Sequence, residues 1–169
     1  MSLELELGLN KPVTLLAHEA LLSTYYTASN LRKKAGQFLQ PFGLTDVQFN
    51  LMMLLNYQSR QGEGLTQAQL SSMMLVNRAN ITALVDRVER AGFVTRTSSP
   101  SDRRSNIIKL TDSGKELLDR IEPLYAQEVK RIMAVLVESE QKKLIGMLEK
   151  VRSNINSDEQ QILRDEKGH

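Results

Sequence analysis

One stretch of the chain, residues 77–111, constrains the fold more than any other part of the sequence. It reads NRANITALVDRVERAGFVTRTSSPSDRRSNIIKLT. Asn77 is a favoured helix N-cap and Gly92 a favoured helix stop, so an amphipathic helix is predicted between them. Residues 93–98 and 106–110 are strand-like and are joined by a turn-forming Ser-Pro-Ser-Asp run. The stretch therefore predicts a helix as wide as a DNA major groove, beside a ribbon whose tip reaches the adjacent backbone or minor groove.

Positive charge is concentrated in this stretch. The whole chain has a formal net charge of only +2. Residues 78–109 hold seven Lys or Arg against three Asp or Glu, so this segment carries +4 and the remainder −2. A basic surface segment without function is the alternative, but the predicted architecture places these charges where DNA phosphates would lie.

The rest of the sequence predicts a mainly α fold with a small antiparallel β-wing, that is, an α+β class. Helices are predicted over residues 14–39, after capping boxes at Thr45 and Thr66, after Asn77, after Thr111 with a kink at Pro123, and after Ser139. The polar tail after Asn154 is expected to fray.

The helix that begins at Asn77 has two distinct faces. Its apolar stripe has helical spacing and is predicted to be buried: Ile81, Leu84, Val85 and Val88. The opposite face centres on Ala79, Ala83, Asp86 and Arg90, flanked by Asn80, Thr82 and Arg87. The two alanines would let the helix axis approach the groove floor, while Arg78 suits guanine and Asn80 suits adenine, each with about 1–3 kcal/mol of discrimination. An ordinary amphipathic surface helix is the alternative interpretation.

Asp86 is unexpected on a face that meets DNA. We hypothesise that it pairs with Arg103 or Arg104 and braces the ribbon against the helix, with Asp102 in the same role. The alternative is a solvated pair with Arg90, four residues further on.

The run from Leu84 to Gly114, LVDRVERAGFVTRTSSPSDRRSNIIKLTDSG, resembles the signature of the MarR family of winged helix-turn-helix regulators. It contains three motifs of the family: an LVDR-like motif that ends the recognition helix (84–92), a wing with an acidic-Arg-Arg core (102–105), and a Leu-Thr-x-x-Gly motif at the start of the next helix (110–114). The resemblance implies one MarR-like domain over residues 1–169, with a winged helix-turn-helix lobe over 45–111 and dimerisation helices over 13–39 and 112–155.

The resemblance further implies a homodimer that binds double-stranded DNA at a pseudo-palindromic operator, acts as a repressor and is released by a small aromatic or phenolic effector. The expected DNA-binding residues are Thr66, Gln67, Asn77, Arg78, Ala79, Asn80, Thr82, Ala83, Arg87, Arg103, Arg104 and Ser105. The residues that match the effector junction are His18, Tyr25, Tyr26, Met52 and Met53, for which a role in the core or the interface is the alternative.

Several classes of function are disfavoured. The chain has no Cys and only two His, so thiolate chemistry and Cys-ligated zinc are excluded, and no catalytic site, metal or cofactor is expected. No apolar run approaches the ~18 residues of a membrane span, and no signal peptide is recognisable, so a cytoplasmic protein without a membrane partner is expected. The remaining alternative is a winged-helix module that binds another protein and not DNA.

Overall fold

The computed structural model describes residues 3–59, 62–74, 78–98 and 106–166, without the side chains of Arg78 and of 157–166. The helices are α1 (Leu3–Leu7), α2 (Leu16–Leu39), α3 (Asp46–Gln58), α4 (Gln67–Met74), α5 (Arg78–Arg90), α6 (Asp112–Met133) and α7 (Glu138–Glu166), and the strands are β1 (Leu65–Thr66), β2 (Val94–Ser98) and β3 (Asn106–Leu110). The chain divides into two compact units, Met1–Glu122 and Pro123–His169.

Both capping boxes predicted from the sequence are confirmed. At the start of α3, the Thr45 N–H donates to Gln48 Oε1 at 2.8 Å, and the Gln48 N–H donates to Thr45 Oγ1 at 3.3 Å. At the start of α4, Thr66 and Gln69 form the same reciprocal pair at 2.8 and 3.2 Å. Each box satisfies backbone donors that a helix start leaves without partners, which explains why these helices begin where they do.

The small sheet has three antiparallel strands in the order β1-β3-β2, where the sequence predicted two. Strands β2 and β3 pair from Val94 with Leu110 to Ser98 with Asn106, as the ribbon prediction requires. The missed strand, β1, pairs Leu65 with Ile108. A strand of two residues is too short to show the alternation by which strands are recognised.

The hydrophobic core lies in the first unit. Its most deeply buried side chains come from five helices and one strand: Leu39, Leu51, Met52, Leu70, Ile81, Val85, Val88, Ile108, Leu118 and Ile121. Helix α3 packs against α2, α4, α5 and β3, which makes it the centre of this core. The core thus holds α4, α5 and the sheet as one body that can present a fixed surface.

The second unit differs from two predictions. Helix α7 begins at Glu138, so Ser139 lies inside it, and the Glu140 carboxylate accepts the Val137 N–H at 2.9 Å in place of the predicted Ser139 cap. The helix also continues to Glu166, beyond the predicted fraying point at Asn154. Helix α6 runs through Pro123 without ending there. Within the described part of the chain, no helix combines the length and the hydropathy that a membrane crossing would need.

Candidate nucleic-acid interface

Helices α4 and α5 pack against each other, and α5 also packs against α3 and β2. The predicted apolar stripe of α5 is confirmed, because Ile81, Val85 and Val88 have no exposed surface and Leu84 is only 5% exposed. Burial of one complete stripe fixes the rotation of the helix about its axis. The opposite face of α5 must therefore point away from the core.

The residues on that opposite face are exposed: Ala79, Asn80, Thr82, Ala83, Arg87 and Arg90. The Arg87 Nε donates to the Ala83 carbonyl at 3.0 Å, and the Arg90 Nε donates to the Asp86 carbonyl at 3.2 Å. Both arginines thus lie along the helix surface and leave the two alanines as a shallow strip. Such a strip admits another surface closely, and the flanking polar groups can form hydrogen bonds with it.

An arginine on the sheet neutralises the acidic side of α5. Arg96 of β2 is hydrogen-bonded through Nη2 to Asp86 Oδ1, and its Nε lies 3.3 Å from Glu89 Oε2. The Arg96 side chain is only 23% exposed, whereas Asp86 and Glu89 are 45% and 38% exposed. One guanidinium therefore ties the sheet to α5 and offsets two carboxylates that would otherwise repel a phosphate backbone.

The structure gives Asp86 a partner that the hypothesis did not name. Its predicted partners, Arg103 and Arg104, lie outside the described residues. The described partner is Arg96, which lies on β2 and not at the ribbon tip, and Arg90 donates to the backbone carbonyl of Asp86 and not to its carboxylate. Asp86 does link α5 to the sheet, but at the body of the ribbon.

A compact set of hydrogen bonds fixes the base of the ribbon to α6. The Thr111 hydroxyl donates to the Gly92 carbonyl at 2.7 Å and accepts the Gly114 N–H at 3.0 Å. The Thr111 N–H donates to the Phe93 carbonyl at 3.1 Å. Gly92 has φ +81°, a left-handed conformation that suits glycine at a helix end. A Cβ at Gly114 would overlap the Phe93 carbonyl oxygen, so only glycine fits there.

This arrangement explains two motifs by their geometry. The Ala91-Gly92 stop and the Leu-Thr-x-x-Gly run meet at one point, where the ribbon leaves α5 and returns into α6. Sequence reasoning identified Thr111 as a cap but missed the roles of Gly114 and Arg96. A glycine three residues after a capping threonine was the available signal for Gly114, and a lone Arg on the inward side of an alternating strand was the signal for Arg96.

The other predicted contact residues have different surroundings. Thr66 and Gln67 are half-buried at the start of α4, and the Thr66 hydroxyl is used in the capping box. The side chain of Arg78 is not described. Asn77, Asp102, Arg103, Arg104 and Ser105 lie outside the described residues, so their roles remain predictions.

The predicted effector residues lie on α2 and α3, which pack against each other. His18 is exposed, Tyr25 is 65% exposed, and Tyr26 and Met53 are half-buried. Met52 has no exposed surface and belongs to the core. These residues differ in their exposure, and the effector pocket stays a prediction. Among the described residues, no three His, Asp or Glu side chains form a group that could hold a metal ion.

Comparison with known proteins supports the resemblance seen in the sequence. Residues 44–106 match the model of the MarR family. The chain is 30% identical over 109 residues to the uncharacterised HTH-type transcriptional regulator YdcH of Bacillus subtilis, covering 64% of this chain and 74% of YdcH. It is 42% identical over 71 residues to the uncharacterised HTH-type transcriptional regulator YkoM of the same organism, covering 42% of this chain but only 46% of YkoM.

Solved structures with similar folds include two regulators. One is Sco3205, a MarR family transcriptional regulator from Streptomyces coelicolor in complex with DNA, with 28% identity and a TM-score of 0.72. That match covers 85% of this chain and 91% of Sco3205. The other is CouR from Rhodococcus jostii RHA1 bound to p-coumaroyl-CoA, with 23% identity, a TM-score of 0.71 and coverage of 82% and 95%.

Proposed function

The chain belongs to the MarR family of transcriptional regulators, and on this premise we propose that it binds duplex DNA as a homodimer and represses transcription by occupying a promoter. In this proposal, α5 enters the major groove and the β2–β3 ribbon reaches the neighbouring backbone. A small aromatic or phenolic effector releases the DNA.

The observation that carries the proposal is the division of α5 into two faces. Ile81, Val85 and Val88 are fully buried on one side, and Ala79 and Ala83 are exposed on the other. A helix held this firmly by its core, with small residues outward, is suited to lie deep in a groove while Asn80 and its neighbours meet base edges. The complex of Sco3205 with DNA gives independent support, since that protein shares the fold at 28% identity.

Exposed apolar surface supports the homodimer. In the second unit, no described apolar side chain within residues 123–156 is buried. On α7, Ile145, Met147, Val151 and Ile155 are each between 50% and 55% exposed. In the first unit, α2 exposes Leu16 at 78% and Leu21 at 47%. Apolar surface of this extent on long helices is typical of an interface between subunits.

The effector proposal rests on the position of α2 and α3 and on a limited comparison. His18, Tyr25 and Tyr26 offer hydrogen-bonding and aromatic groups on α2, which suit a phenolic or aromatic ligand. CouR, which has a similar fold, binds the aromatic thioester p-coumaroyl-CoA. A thermal-shift screen of phenols, aromatic acids and aromatic acyl thioesters tests this proposal, with release of bound DNA as the second measurement.

The DNA proposal is tested by a gel shift with the DNA that flanks the protein's own gene, at two salt concentrations. We expect a shifted band that weakens steeply as salt rises, because binding releases counterions from the phosphates. Absence of any salt-sensitive shift would overturn the proposal and favour the alternative, a winged helix that binds another protein.

Two substitutions separate base reading from phosphate binding. Asn80→Ala should relax the preference at one base position of the mapped operator, by about 1–3 kcal/mol, and equal losses on all sequences would refute base reading. Arg104→Ala should weaken binding to all sequences and reduce the salt slope by about one. Arg120→Ala removes the same charge from an exposed position on α6 and is the matched control, which should change neither quantity.

A further inference from the structure

Two neighbouring side chains at the end of α3 converge on one carboxylate of α6. The Tyr57 hydroxyl donates to Glu122 Oε2 at 2.6 Å, and Asn56 Nδ2 donates to Glu122 Oε1 at 3.2 Å. Consecutive residues on a helix point about 100° apart, so Glu122 must lie over the edge between them. Both oxygens of the carboxylate are occupied, although the residues are 65 and 66 positions apart in sequence.

Glu122 occupies a special position on α6. It is the last residue of the first compact unit, and Pro123 follows it. A proline within a helix has no N–H to donate, so the helical hydrogen bond to the Asp119 carbonyl is missing at this point. The turn of α6 over residues 119–123, which contains the carboxylate that α3 holds, therefore lacks one helical hydrogen bond.

The fully or nearly fully buried apolar side chains of α6, among the described residues, lie before Glu122. Leu117, Leu118 and Ile121 are buried, with exposures of 7%, 0% and 0%, whereas Leu124 is 44% exposed. At the other end, Thr111 and Gly114 fix the first turn of α6 to the base of the ribbon. Glu122 therefore attaches the last turn of α6 that lies within the first unit to the lobe that carries α5.

We propose that Asn56, Tyr57 and Glu122 form a latch that holds α6 against α3 at Glu122, and that the closed latch is needed for full DNA affinity. The second half of this statement rests on the proposed function. In a dimer, two copies of α5 must match half-sites at a fixed spacing. A loosely held α6 lets that spacing vary, so DNA binding must then order it at an additional entropic cost. The three latch residues are positioning residues and touch no DNA.

The latch is tested first without DNA. Tyr57→Phe removes one hydroxyl from a side chain that is 62% exposed, so the fold should survive. Glu122→Gln keeps the shape but removes the charge and one acceptor oxygen. We expect amide hydrogen exchange in residues 112–122 to quicken by about tenfold in both variants, with little change elsewhere. Glu116→Gln, the same change at an exposed position of α6, is the control and should leave exchange unaltered.

The coupling to DNA is then measured on the operator to which the wild-type protein binds. Both latch variants should lose affinity by about three- to tenfold, and the double variant should lose no more than the worse single variant, because one interaction is broken in each. The salt slope should stay at the wild-type value, since no phosphate contact is lost.

The possible outcomes distinguish the latch from the proposed function. Unchanged hydrogen exchange in Tyr57→Phe overturns the latch whatever the DNA result. Faster exchange with unchanged DNA affinity retains the attachment and overturns its role in binding. Additive losses, or a reduced salt slope, would also overturn that role, since they indicate separate effects or a direct contact. Failure of the wild-type protein to bind DNA refutes the proposed function, but the hydrogen-exchange result still tests the attachment of α6 to α3.

Discussion

Replacing Arg96 with Gln should destabilise the protein by about 2 kcal/mol. The substitution leaves Asp86 and Glu89, which are three residues apart on α5, facing each other without a cation. Loss of one partner from a fully buried ion pair costs about 3–5 kcal/mol, and an exposed pair is worth about 0–1 kcal/mol. Since Arg96 is 23% exposed and its partners 45% and 38%, an intermediate value is expected.

The prediction is measured by thermal unfolding and by DNA binding. At about 2–4 °C per kcal/mol for a chain of this size, the midpoint should fall by about 4–8 °C. DNA affinity should fall as well, because the sheet loses its tie to α5 and two negative charges are left without their cation. Arg90→Gln is the matched control, since Arg90 is an exposed arginine on α5 whose hydrogen bond within the described residues goes to a backbone carbonyl. It should shift the midpoint by less than about 2 °C.

A further variant tests the physical reason. In Arg96→Met combined with Asp86→Asn and Glu89→Gln, no charge is left without a partner, so much of the lost stability should return. The reasoning is refuted if Arg96→Gln and Arg90→Gln unfold at the same temperature, or if the triple variant is less stable than Arg96→Gln alone.

Two further predictions concern α6. Gly114→Ala should destabilise the protein by about 1–3 kcal/mol in chemical denaturation, because the added Cβ overlaps the Phe93 carbonyl. Gly146→Ala on α7, where a Cβ meets open space, is the control and should be neutral or stabilising by up to about 1 kcal/mol. Equal effects of the two substitutions would contradict this reasoning. Glu122 raises the pKa of Tyr57 above its ordinary value of 10.0, first through their hydrogen bond and then through its charge. Glu122→Gln should return that pKa towards 10.0 in a titration of tyrosinate absorbance. In the wild-type protein, the stabilisation from this pair should be complete below pH 10.0 and be lost as the pH rises through the raised pKa of Tyr57; an unchanged tyrosine titration would refute the pairing.

Local signals in the sequence were sufficient for most of the helices. The boxes at Thr45 and Thr66, the cap at Thr111 and the stop at Gly92 are hydrogen bonds or backbone conformations confined to three or four residues, so they can be recognised without knowing the fold. The buried stripe of α5 was predicted for the same reason, because helical geometry repeats regularly along the chain. The prediction that Ser139 caps α7 was wrong because the Val137 carbonyl accepts the first helical hydrogen bonds and the Glu140 carboxylate accepts the Val137 N–H, so the helix begins before Ser139.

Contacts between residues distant in sequence could not be predicted from local sequence patterns. Strand β1 forms because residues 65–66 lie beside β3, and a segment of two residues carries no sequence pattern that predicts this pairing. The surroundings of Met52 likewise depend on the elements packed around α3. Residue type alone could mark such positions as apolar, but it could not distinguish a core residue from one that lines a pocket.

The sequence by itself therefore determined the family resemblance, the face of α5 that points outward and the starts of α3 and α4, because these depend on spacing along the chain. The tertiary structure decided which charges and hydrogen-bonding groups meet. Asp86 pairs with Arg96, ten residues away on a strand, and Glu122 meets Asn56 and Tyr57 across more than 60 residues. Such pairs are selected by the packing of helices and sheet in three dimensions, since many other charged partners are equally compatible with the sequence.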